Sequence, residues 1–492
     1  MERQNDYRQA RWSEPLLIEL SDTGGTCNTL NIPEPLVAVS IPDVIARKNG
    51  APRLPELSRL EVVRHFTRLS QMNFGINSGM YPLGSCTMKY NPPLCERIAG
   101  LESVRNTHPV QDASTIQGCL ELMHELGRAL CEISGMNAIS LQPAAGAHGE
   151  FTGVKIIRKH IKETGQEGRR DELIIPDSGH GTNPASAALA GFKVVVVPSD
   201  PNTGCVDLDA LKNVVSGKTA GLMLTNPNTL GIFEKDIKEI AKVIHDAGGL
   251  LYYDGANLNA IMGITNPGLM GFDIVHFNLH KTFSTPHGGG GAGAGPVAVV
   301  ESLAKYLPKP VVRMDSHGKY FLDYDMPHSI GPVKAFYGNF AVMVRAYAYI
   351  LMLGGAGLTE VSKTAVLNSN YLLRKIEKIL GTKLSLEYDP TRPRKHEFVL
   401  SATPLGGVKP TDIAHALLDE GVHAPTIYFP QIVHDAVMIE PTETECKRIL
   451  DEFAEKLKTA CAIQPGSPPK NTAVGIVDQA LSVKEPRLTW ND

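Results

Sequence analysis

Apolar and polar positions follow a regular pattern through the middle of the chain. Between about residues 70 and 330, short apolar runs alternate with amphipathic stretches. In the segment 219–256, GLMLT predicts a strand, and 236–247 predicts a helix with apolar residues spaced by three and four. Two glycines end that helix, and LLYYD predicts the next strand. Such β-α-β units are typical of a mostly parallel sheet covered on both faces, so we expect an α/β fold.

The pattern changes on both sides of this region. The N-terminal residues are rich in proline and polar side chains without a sustained period, which predicts an arm with one or two short helices. Towards the C-terminus, a long helix at 341–353, an alternating segment at 396–401 and two further amphipathic helices predict a smaller α+β domain. We therefore expect an N-terminal arm (1–70), a large domain (71–335), a small C-terminal domain (336–462) and an extended tail (463–492).

The composition argues against several classes of partner. The net charge is −4 and charged residues make up 20% of the chain, which gives no electrostatic reason to expect nucleic acid or an anionic membrane. The first residues are charged and polar, which favours a cytoplasmic protein. The longest apolar region, 341–358, contains Arg345 and several glycines, so we expect a buried helix and no transmembrane segment. The eight cysteines form no CxxC pair, as expected for free thiols in a reducing compartment.

The most informative segment is 277–296, FNLHKTFSTPHGGGGAGAGP. It places Lys281 after a strand-like run and before a glycine-rich loop whose backbone can approach a ligand closely. A lysine at a strand end, beside a desolvating cofactor, can lose its charge and form an imine with an aldehyde. The alternative for Lys281 is an ordinary solvated lysine.

A carboxylate changes the balance between these alternatives. Asp254 ends the strand LLYYD and lies 27 residues before Lys281, a gap that fits a strand, a short connection and a second strand. Such a carboxylate can pair with the pyridinium nitrogen of pyridoxal phosphate (PLP) and strengthen the ring as an electron sink. A helix-capping aspartate is the alternative, but Lys281 and Asp254 together favour a PLP site.

Two further segments supply candidate cofactor contacts. QPAAGAHGE precedes a helix that we expect to begin near Phe151, and Ala145, Gly146 and Ala147 would expose N–H groups to a phosphate at its N-terminus. A tight connection is the alternative there. His180 follows the strand LIIP, where an imidazole could stack on a flat ring, although a lone histidine more often has a structural role.

Three histidines, His276, His280 and His287, raise the question of a metal centre. The sequence offers no carboxylate or cysteine at a matching helical spacing beside them. Strand alternation would send His276 and His280 to one face but leaves His287 unconstrained. We therefore expect no metal.

Seven segments carry a resemblance to a known family. They are YPLGSCTMKYNP (81–92), QPAAGAHGE, HGTNPASAALAGF, YYDGANLNA, NLHKTFSTPHGGGGAGAGP, SIGPVKAFYGNFAVMVRAYAYI and IYFPQIVHDAVMIEPTETE, and they cover most of 65–450. In these segments the chain resembles the glycine dehydrogenase (decarboxylating) family, the P-protein of the glycine cleavage system. The segments around Lys281 and at 81–91 are highly specific to that family.

The resemblance implies a fold type I PLP-dependent transferase, in which 71–335 is the PLP-binding domain. Lys281 would hold PLP as a Schiff base and Asp254 would bind the pyridine nitrogen. His180 would stack on the ring, with His148 as the alternative. The remaining implied contacts are Ala145, Gly146 and Ala147 with the phosphate, Thr285 or His287 with the phosphate from a neighbouring chain, and Ser85, Cys86, Thr87 and Lys89 at the glycine and lipoyl entrance.

The implied reaction is the decarboxylation of glycine with transfer of the aminomethyl group to the lipoyl arm of H-protein. The length of the chain resembles subunit 2 of the two-subunit form, which implies an α2β2 assembly with glycine dehydrogenase subunit 1. One rival interpretation is another PLP-dependent amino-acid decarboxylase or aminotransferase, against which the GSCTMK and glycine-rich segments argue. A second rival is a non-catalytic structural half of the complex, against which Lys281 and Asp254 argue.

Overall fold

The computed structural model describes residues 7–21, 42–46, 48, 54–287 and 292–486. The helices of these residues are α1 (Arg59–Met72), α2 (Pro93–Ala99), α3 (Glu102–Arg105), α4 (Gln117–Ser134), α5 (Gly146–Glu163), α6 (Thr182–Leu189), α7 (Leu208–Val214), α8 (Ile237–Asp246), α9 (Pro267–Met270), α10 (Phe340–Leu380), α11 (Pro410–Asp419), α12 (Lys447–Ala460) and α13 (Gln479–Lys484). The strands are β1 (Ala138–Ser140), β2 (Glu172–Pro176), β3 (Lys193–Val197), β4 (Thr219–Thr225), β5 (Leu250–Gly255), β6 (Ile274–Phe277), β7 (Val297–Val299), β8 (Val311–Met314), β9 (Tyr320–Asp323), β10 (Ser385–Leu386), β11 (Phe398–Ser401), β12 (Thr426–Ile427) and β13 (Ala436–Ile439).

The chain divides into two compact units. The smaller unit comprises Met1–Gly79, Leu418–Gly421 and Pro468–Asp492, and the larger unit comprises Met80–Leu417 and Val422–Ser467. These units follow tertiary contacts rather than sequence patterns, and the four-part division expected from the sequence stays a prediction.

In the smaller unit, local polar contacts define helix α1. Ser58 accepts the N–H of Glu61 and the Glu61 side chain accepts the N–H of Ser58, which together form a capping box. The Glu14 carboxylate lies 2.9 Å from His65 Nδ1 and 3.2 Å from Arg68 Nη1. Helix α1 is one of the short helices expected near the N-terminus, and it extends to Met72.

In the larger unit, a seven-stranded sheet has the order β1-β7-β6-β5-β4-β2-β3. Strands β3, β2, β4, β5 and β6 are parallel, and β7 runs antiparallel to its neighbours β6 and β1. The mostly parallel sheet expected from the sequence is therefore confirmed. The β-α-β unit at 219–256 is confirmed as well, as β4, α8 and β5.

Side chains alternate between two apolar cores along the strands of this sheet. Leu222 packs with Ile240 of α8 in the core on one face. Its neighbour Met223 packs with Ile157 of α5 in the core on the other face. A strand buried on both faces has few polar positions, which is why β4 reads as a nearly continuous apolar run in the sequence.

Helix α10 follows the sheet and is interrupted at Gly354, whose φ of 61° and ψ of −179° are not helical. The helix expected at 341–353 corresponds to the part before this break. By length and composition alone, Phe340–Lys383 is apolar enough to cross a membrane. Met343 and Ala346 belong to the core that also contains Leu222, so packing within the protein accounts for part of this apolar character.

A second sheet of four strands has the order β10-β11-β13-β12 and is antiparallel throughout. Its core joins Leu400 of β11 to Ile376 of α10 and Phe453 of α12. The segment at 396–401 contains β11, as the alternating pattern predicted, and α11 and α12 are the two amphipathic helices expected after it.

Candidate active site

The carboxyl ends of three parallel strands form one wall of a cavity. Thr225 of β4 is paired in register with Asp254 of β5, and Asp254 is paired with His276 of β6. All three residues line a cavity of about 190 Å³. Ligands in open α/β sheets bind in crevices at the carboxyl ends of the strands, so the sheet itself marks this cavity as the candidate site.

Lys281 reaches the same cavity from the turn that follows β6. Its backbone N–H donates to Asn278 O at 3.0 Å, which closes the turn. The side chain is half-buried and lines the cavity. Among the described residues, Lys281 Nζ has no hydrogen bond or ion pair. An amine without a partner is available to react with an aldehyde.

Asp254 is buried and receives several polar contacts. Oδ2 accepts a hydrogen bond from Asn183 Nδ2 at 3.1 Å, and Oδ1 accepts the N–H of Ala256 at 3.0 Å. His276 Nε2 lies 3.4 Å from Oδ1. Burial acts to raise the pKa of Asp254, but His276, the Ala256 N–H, Lys281 and Asn183 outweigh it and hold the pKa below its ordinary value. Asp254 is therefore a carboxylate that stays ionised inside the protein.

Glu150 of α5 stands beside Asp254 and behaves in the opposite way. Burial and the nearby negative charge of Asp254 raise the pKa of Glu150 to about 7. Its carboxyl oxygens accept hydrogen bonds from Thr182 Oγ1 at 2.7 Å and Ser186 Oγ at 3.1 Å. Two adjacent carboxyls in a low-dielectric site cannot easily both ionise, so Glu150 holds the proton and Asp254 holds the charge.

The N-terminus of α5 also opens on the cavity. The helix begins at Gly146, so the expectation that it begins near Phe151 was wrong by five residues, and Gly146 and Ala147 belong to its first turn. Both residues line the cavity, and Ala145 is the extended residue before them. The N–H groups of a first turn lack partners within the helix, and the helix dipole favours an anion there. Close packing explains the small residues, because a Cβ at Gly149 would lie 2.7 Å from Gly295 O.

The structure separates the two histidines proposed for ring stacking. His180 lines the cavity, with Nδ1 2.7 Å from Thr182 Oγ1 and its ring edge-to-face with Phe429 at 5.3 Å. Burial lowers the pKa of His180, which Asp254 opposes and Lys281 reinforces. His148 does not line the cavity, and its Nδ1 accepts the N–H of Ala144 at 3.1 Å. The geometry favours His180 over His148.

Of the four residues named at 85–89, Ser85 alone lines the cavity. Cys86 is half-buried, and burial raises the pKa of its thiol to about 11. The Thr87 N–H donates to Glu440 Oε2 at 2.9 Å. Lys89 is buried away from the cavity, and its Nζ contacts Asn259 Oδ1, the Tyr349 hydroxyl and Glu443 Oε1 at 2.8 to 3.2 Å. An ion pair with Glu443 engages the Lys89 ammonium, and whether residues 85–89 form an entrance stays a prediction.

Of the two residues predicted to reach the phosphate from the segment after Lys281, one lines the cavity and the other does not. His287 lines the cavity of its own chain, with its pKa lowered by burial and by Lys281. Thr285 is buried outside the cavity wall, and its hydroxyl has no hydrogen-bond partner among the described residues. Whether either residue reaches the phosphate of a neighbouring chain stays a prediction.

Several lining residues were not singled out as site residues from the sequence. Glu150 and Thr225 line the cavity, as do Asn257 and His280. His276 was considered only as a metal ligand, but its Nδ1 lies 2.7 Å from the Tyr252 hydroxyl and its Nε2 lies 3.0 Å from Asn278 Nδ2. Strand register was the available signal, because Thr225 and His276 flank Asp254 on its two neighbouring strands. The absence of a metal likewise stays a prediction.

The residues of this cavity fit PLP in charge and in hydrogen bonding. An amine and an ionised carboxylate lie in one cavity, as a covalently held pyridinium aldehyde requires. The buried Thr225 hydroxyl lines the cavity and has no hydrogen-bond partner among the described residues. A helix N-terminus supplies N–H groups of the kind that bind a phosphate.

Comparison with known proteins decides the family. The family described as "Glycine cleavage system P-protein" matches residues 30–324, and "Glycine dehydrogenase, C-terminal domain" matches 361–464. A relative from Pyrococcus abyssi (strain GE5 / Orsay), "Probable glycine dehydrogenase (decarboxylating) subunit 2", is 57% identical over 98% of this chain and 97% of its own length. The chain belongs to the glycine cleavage system P-protein family. The resemblance drawn from the sequence is confirmed.

Solved structures place this P-protein family member in a known fold. An inhibitor-bound glycine decarboxylase (P-protein) of the glycine cleavage system has a TM-score of 0.72 at 21% identity, over 85% of this chain and 93% of that one. A C-DES mutant with glycine covalently linked to its PLP cofactor has a TM-score of 0.61 at 14% identity, over 79% of this chain and 97% of that one. The fold is that of fold type I PLP-dependent enzymes, as expected.

Proposed function

We propose that this chain is the PLP-dependent catalytic subunit that decarboxylates glycine in a glycine cleavage system. Its family and the names of its relatives support this assignment. The observation that carries it is the presence, in one cavity, of the Lys281 amine, which has no partner among the described residues, and of a buried carboxylate at Asp254 whose pKa lies below its ordinary value. This pair is what a PLP enzyme requires, and a structural subunit would have no need of it.

The described residues have the groups needed to hold PLP. Lys281 would bind the aldehyde carbon covalently, and Asp254 would accept a hydrogen bond from the ring nitrogen. The N–H groups of Gly146 and Ala147 would hold the phosphate, and His180 would contact the ring. When bound, PLP supplies an electron sink that stabilises the negative charge left on a substrate carbon.

Two features of the chain favour this chemistry. Asp254 has no need to gain or lose a proton near neutral pH, because Glu150 carries the titrating proton of the pair. Ser85 lines the cavity, and in this proposal it would limit the space beside the substrate, so that a small amino acid would be selected by exclusion of larger side chains. In the net reaction, glycine loses carbon dioxide and the two electrons of the broken carbon–carbon bond reduce the lipoyl disulfide, whose one sulfur takes the aminomethyl group.

Partners follow from the same proposal. The Pyrococcus abyssi relative is named as a subunit 2, which describes that protein as one of at least two kinds of subunit. For this chain we infer an α2β2 assembly with glycine dehydrogenase subunit 1, and delivery of the lipoyl arm by H-protein to the entrance at 85–87. Cytoplasmic residence belongs to the same proposal.

The test is exchange of labelled bicarbonate into the carboxyl group of glycine by the reconstituted subunits with lipoylated H-protein. Exchange that depends on glycine, on H-protein and on this chain supports the proposal. Decarboxylation of a larger amino acid without H-protein would assign the chain to a different PLP decarboxylase. PLP binding in the absence of any exchange, with a partner subunit known to be folded, would contradict the catalytic assignment.

A further inference from the structure

The turn that brings Ser85 to the cavity has an unfavourable backbone conformation. Ser85 and Thr87 have φ values of 62° and 47°, in the left-handed region that residues with a Cβ seldom adopt. Each such residue costs of the order of 1–2 kcal/mol and persists only where its surroundings determine the conformation. The surroundings of this turn must therefore contain groups that hold it in place.

Two buried carboxyl groups that do not line the cavity accept hydrogen bonds from this turn. Glu397 Oε2 accepts the N–H of Ser85 at 2.7 Å, and Glu440 Oε2 accepts the N–H of Thr87 at 2.9 Å. Both side chains are 0–1% exposed. The turn is also joined to the small sheet by a bridge between Leu83 and Ile439.

The small sheet explains why the two carboxyls lie side by side. Glu397 directly precedes β11 and Glu440 directly follows β13, and the antiparallel pair Phe398–Ile439 adjoins both. Register therefore brings two potential negative charges together at one end of the sheet, which costs free energy unless protons or hydrogen bonds compensate. The backbone N–H groups of the turn supply such hydrogen bonds.

The ionisable groups that face this pair determine its charge. Burial, then Glu440, raise the pKa of Glu397 well above its ordinary value, and burial raises that of Glu440 to about 7. Lys281 lowers both values, and Glu443 raises that of Glu440. His396 Nε2 lies 3.9 Å from each carboxyl, and burial lowers the pKa of His396 to about 3, so His396 is neutral. The pair therefore acts mainly through hydrogen bonds.

We propose that Glu397 and Glu440 are positioning residues, which fix the strained turn 85–87 by accepting its backbone N–H groups and thereby set the clearance between Ser85 and the substrate. Glu397 also accepts from Asn257 Nδ2 at 3.3 Å, so it contacts two residues of the cavity wall, Ser85 and Asn257. The proposal rests on the proposed function only where it concerns glycine. The conformation of the turn can be measured without any reaction.

Replacement by glutamine distinguishes the two residues. At Glu440 a Gln oxygen can accept the Thr87 N–H while its NH₂ points to His396 Nε2, which has no hydrogen-bond partner among the described residues. At Glu397 both oxygens accept from donors, Ser85 N and Asn257 Nδ2, so one of these bonds must be lost in a Gln variant. We expect Glu440→Gln to retain the turn, Glu397→Gln to weaken it, and Glu440→Ala to release it.

Cys86 lies inside the turn and reports its conformation. The thiol is half-buried, and Glu397 and Glu440 both act to raise its pKa. Opening of the turn would expose the thiol, and labelling would then follow the population of the open state. In the assembled holoenzyme, the iodoacetamide labelling rate of Cys86, followed by peptide mass spectrometry, is expected to rise about tenfold or more in Glu440→Ala and less than threefold in Glu440→Gln.

Glu234→Ala is the matched control. Glu234 is also buried and accepts a backbone N–H, that of Val206, at 3.1 Å, but it does not contact the turn. The Glu234→Ala variant should have a lower overall stability, but the labelling of its Cys86 should not accelerate relative to that of the exposed Cys446. Equal acceleration in Glu234→Ala and Glu440→Ala would overturn the proposal. So would a Glu440→Gln variant that behaves like Glu440→Ala, since the negative charge itself, for instance as a cation ligand, would then be required.

Glycine kinetics supply the functional part of the test. With the turn released, the KM for glycine is expected to rise about tenfold while kcat changes less than threefold, because the proposal places Ser85 beside the substrate and leaves Lys281 unchanged. A loss in kcat alone would contradict a role in substrate clearance. If the wild-type protein shows no glycine exchange, the proposed function fails, while the labelling of Cys86 still decides whether the carboxyls hold the turn.

Discussion

Two clusters of the same composition lie in the larger unit, and they differ in charge. The main-sheet triad is Glu150, Asp254 and His276, and the small-sheet triad is His396, Glu397 and Glu440. In each triad one histidine and two carboxyl groups have their polar atoms within 4.8 Å of one another, and every member is buried. The main-sheet triad contains a carboxylate with a lowered pKa, whereas both carboxyls of the small-sheet triad have raised pKa values.

The surroundings of the two histidines differ. His276 Nδ1 lies 2.7 Å from the Tyr252 hydroxyl and its Nε2 lies 3.0 Å from Asn278 Nδ2, and His276 is the largest of the effects that lower the pKa of Asp254. In the small-sheet triad, neither ring nitrogen of His396 has a hydrogen-bond partner among the described residues, and the pKa values of Glu397 and Glu440 are raised although both carboxyls accept hydrogen bonds. Residue composition alone therefore does not determine the charge of a buried cluster, which also depends on the partners that surrounding elements provide.

Removal of Lys281 should have the largest effect, because its charge acts on both triads. In Lys281→Ala, glycine exchange is expected to fall at least about 1,000-fold, since the amine proposed to attach PLP covalently is removed. Lys281→Arg is the control, because it keeps the positive charge but cannot form the imine. We expect both variants to lose exchange to a similar extent and neither to hold PLP by a stable covalent bond. A variant that retains covalently bound PLP would show that another amine is the attachment site.

Asp254→Asn separates the charge of the main-sheet triad from its shape. The amide keeps the size of the side chain but removes the negative charge, and exchange should fall about 100-fold or more, as for other preorganised electrostatic groups. The pKa of Glu150 should fall at the same time, because the like charge beside it is gone. Infrared titration of the carboxyl groups, with Glu150→Gln for assignment, measures that shift. An unchanged pKa of Glu150 would mean that burial alone raises it.

Glu150→Gln tests the same coupling through stability. In the folded state Glu150 retains its proton up to a pH of about 7, whereas in the unfolded chain it ionises near its ordinary value of 4.5. Its contribution is fully present below pH 4.5 and is lost as pH rises towards 7, with a maximum slope of about 1.4 kcal/mol per pH unit. The Glu150→Gln variant has no ionisable group at this position, so it does not lose stability in this way as the pH rises. Denaturant unfolding at pH 5, 6 and 7 should therefore show wild type losing stability relative to Glu150→Gln, and a constant difference would exclude the raised pKa.

A pair of glycines compares the packing around the two regions, with the smallest expected effect. In Gly149→Ala, the new Cβ would meet the backbone oxygen of Gly295 at 2.7 Å, which cannot move aside easily. In Gly84→Ala, beside the turn, the Cβ would overlap the buried side chain of Met438, whose Cβ is fixed to strand β13 and lies 2.9 Å away. We expect each variant to cost about 1–3 kcal/mol in the free energy of unfolding. Thermal unfolding of the two variants measures these costs, and a Gly84→Ala variant as stable as wild type would show that the turn and Met438 can move apart to admit a methyl group.

The sequence predicted the large parts of this molecule because local patterns carry them. The alternation of apolar strands and amphipathic helices at 219–256 required burial on both faces, and β4, α8 and β5 lie where it placed them. Lys281 and Asp254 could be assigned to one site from their positions in the chain, because a lysine and a carboxylate at the ends of successive strands must meet at one edge of a parallel sheet. The start of α5 was misplaced, since Gly146 and Gly149 are small for tertiary reasons that the helix itself does not reveal.

Only the tertiary structure decided which buried polar groups are ionised, which hold neighbouring backbone in place and which form ion pairs outside the cavity. Lys89 lies four residues from Ser85 in a family-specific segment, yet it is committed to Glu443 from 354 positions further along the chain. Glu397 and Glu440 carry no local signal, because they become neighbours only when β11 pairs with β13. Periodicity is a property of consecutive residues and can be read along the chain. The proton on a buried carboxyl depends on donors from distant segments, and those are known only after folding has brought them together.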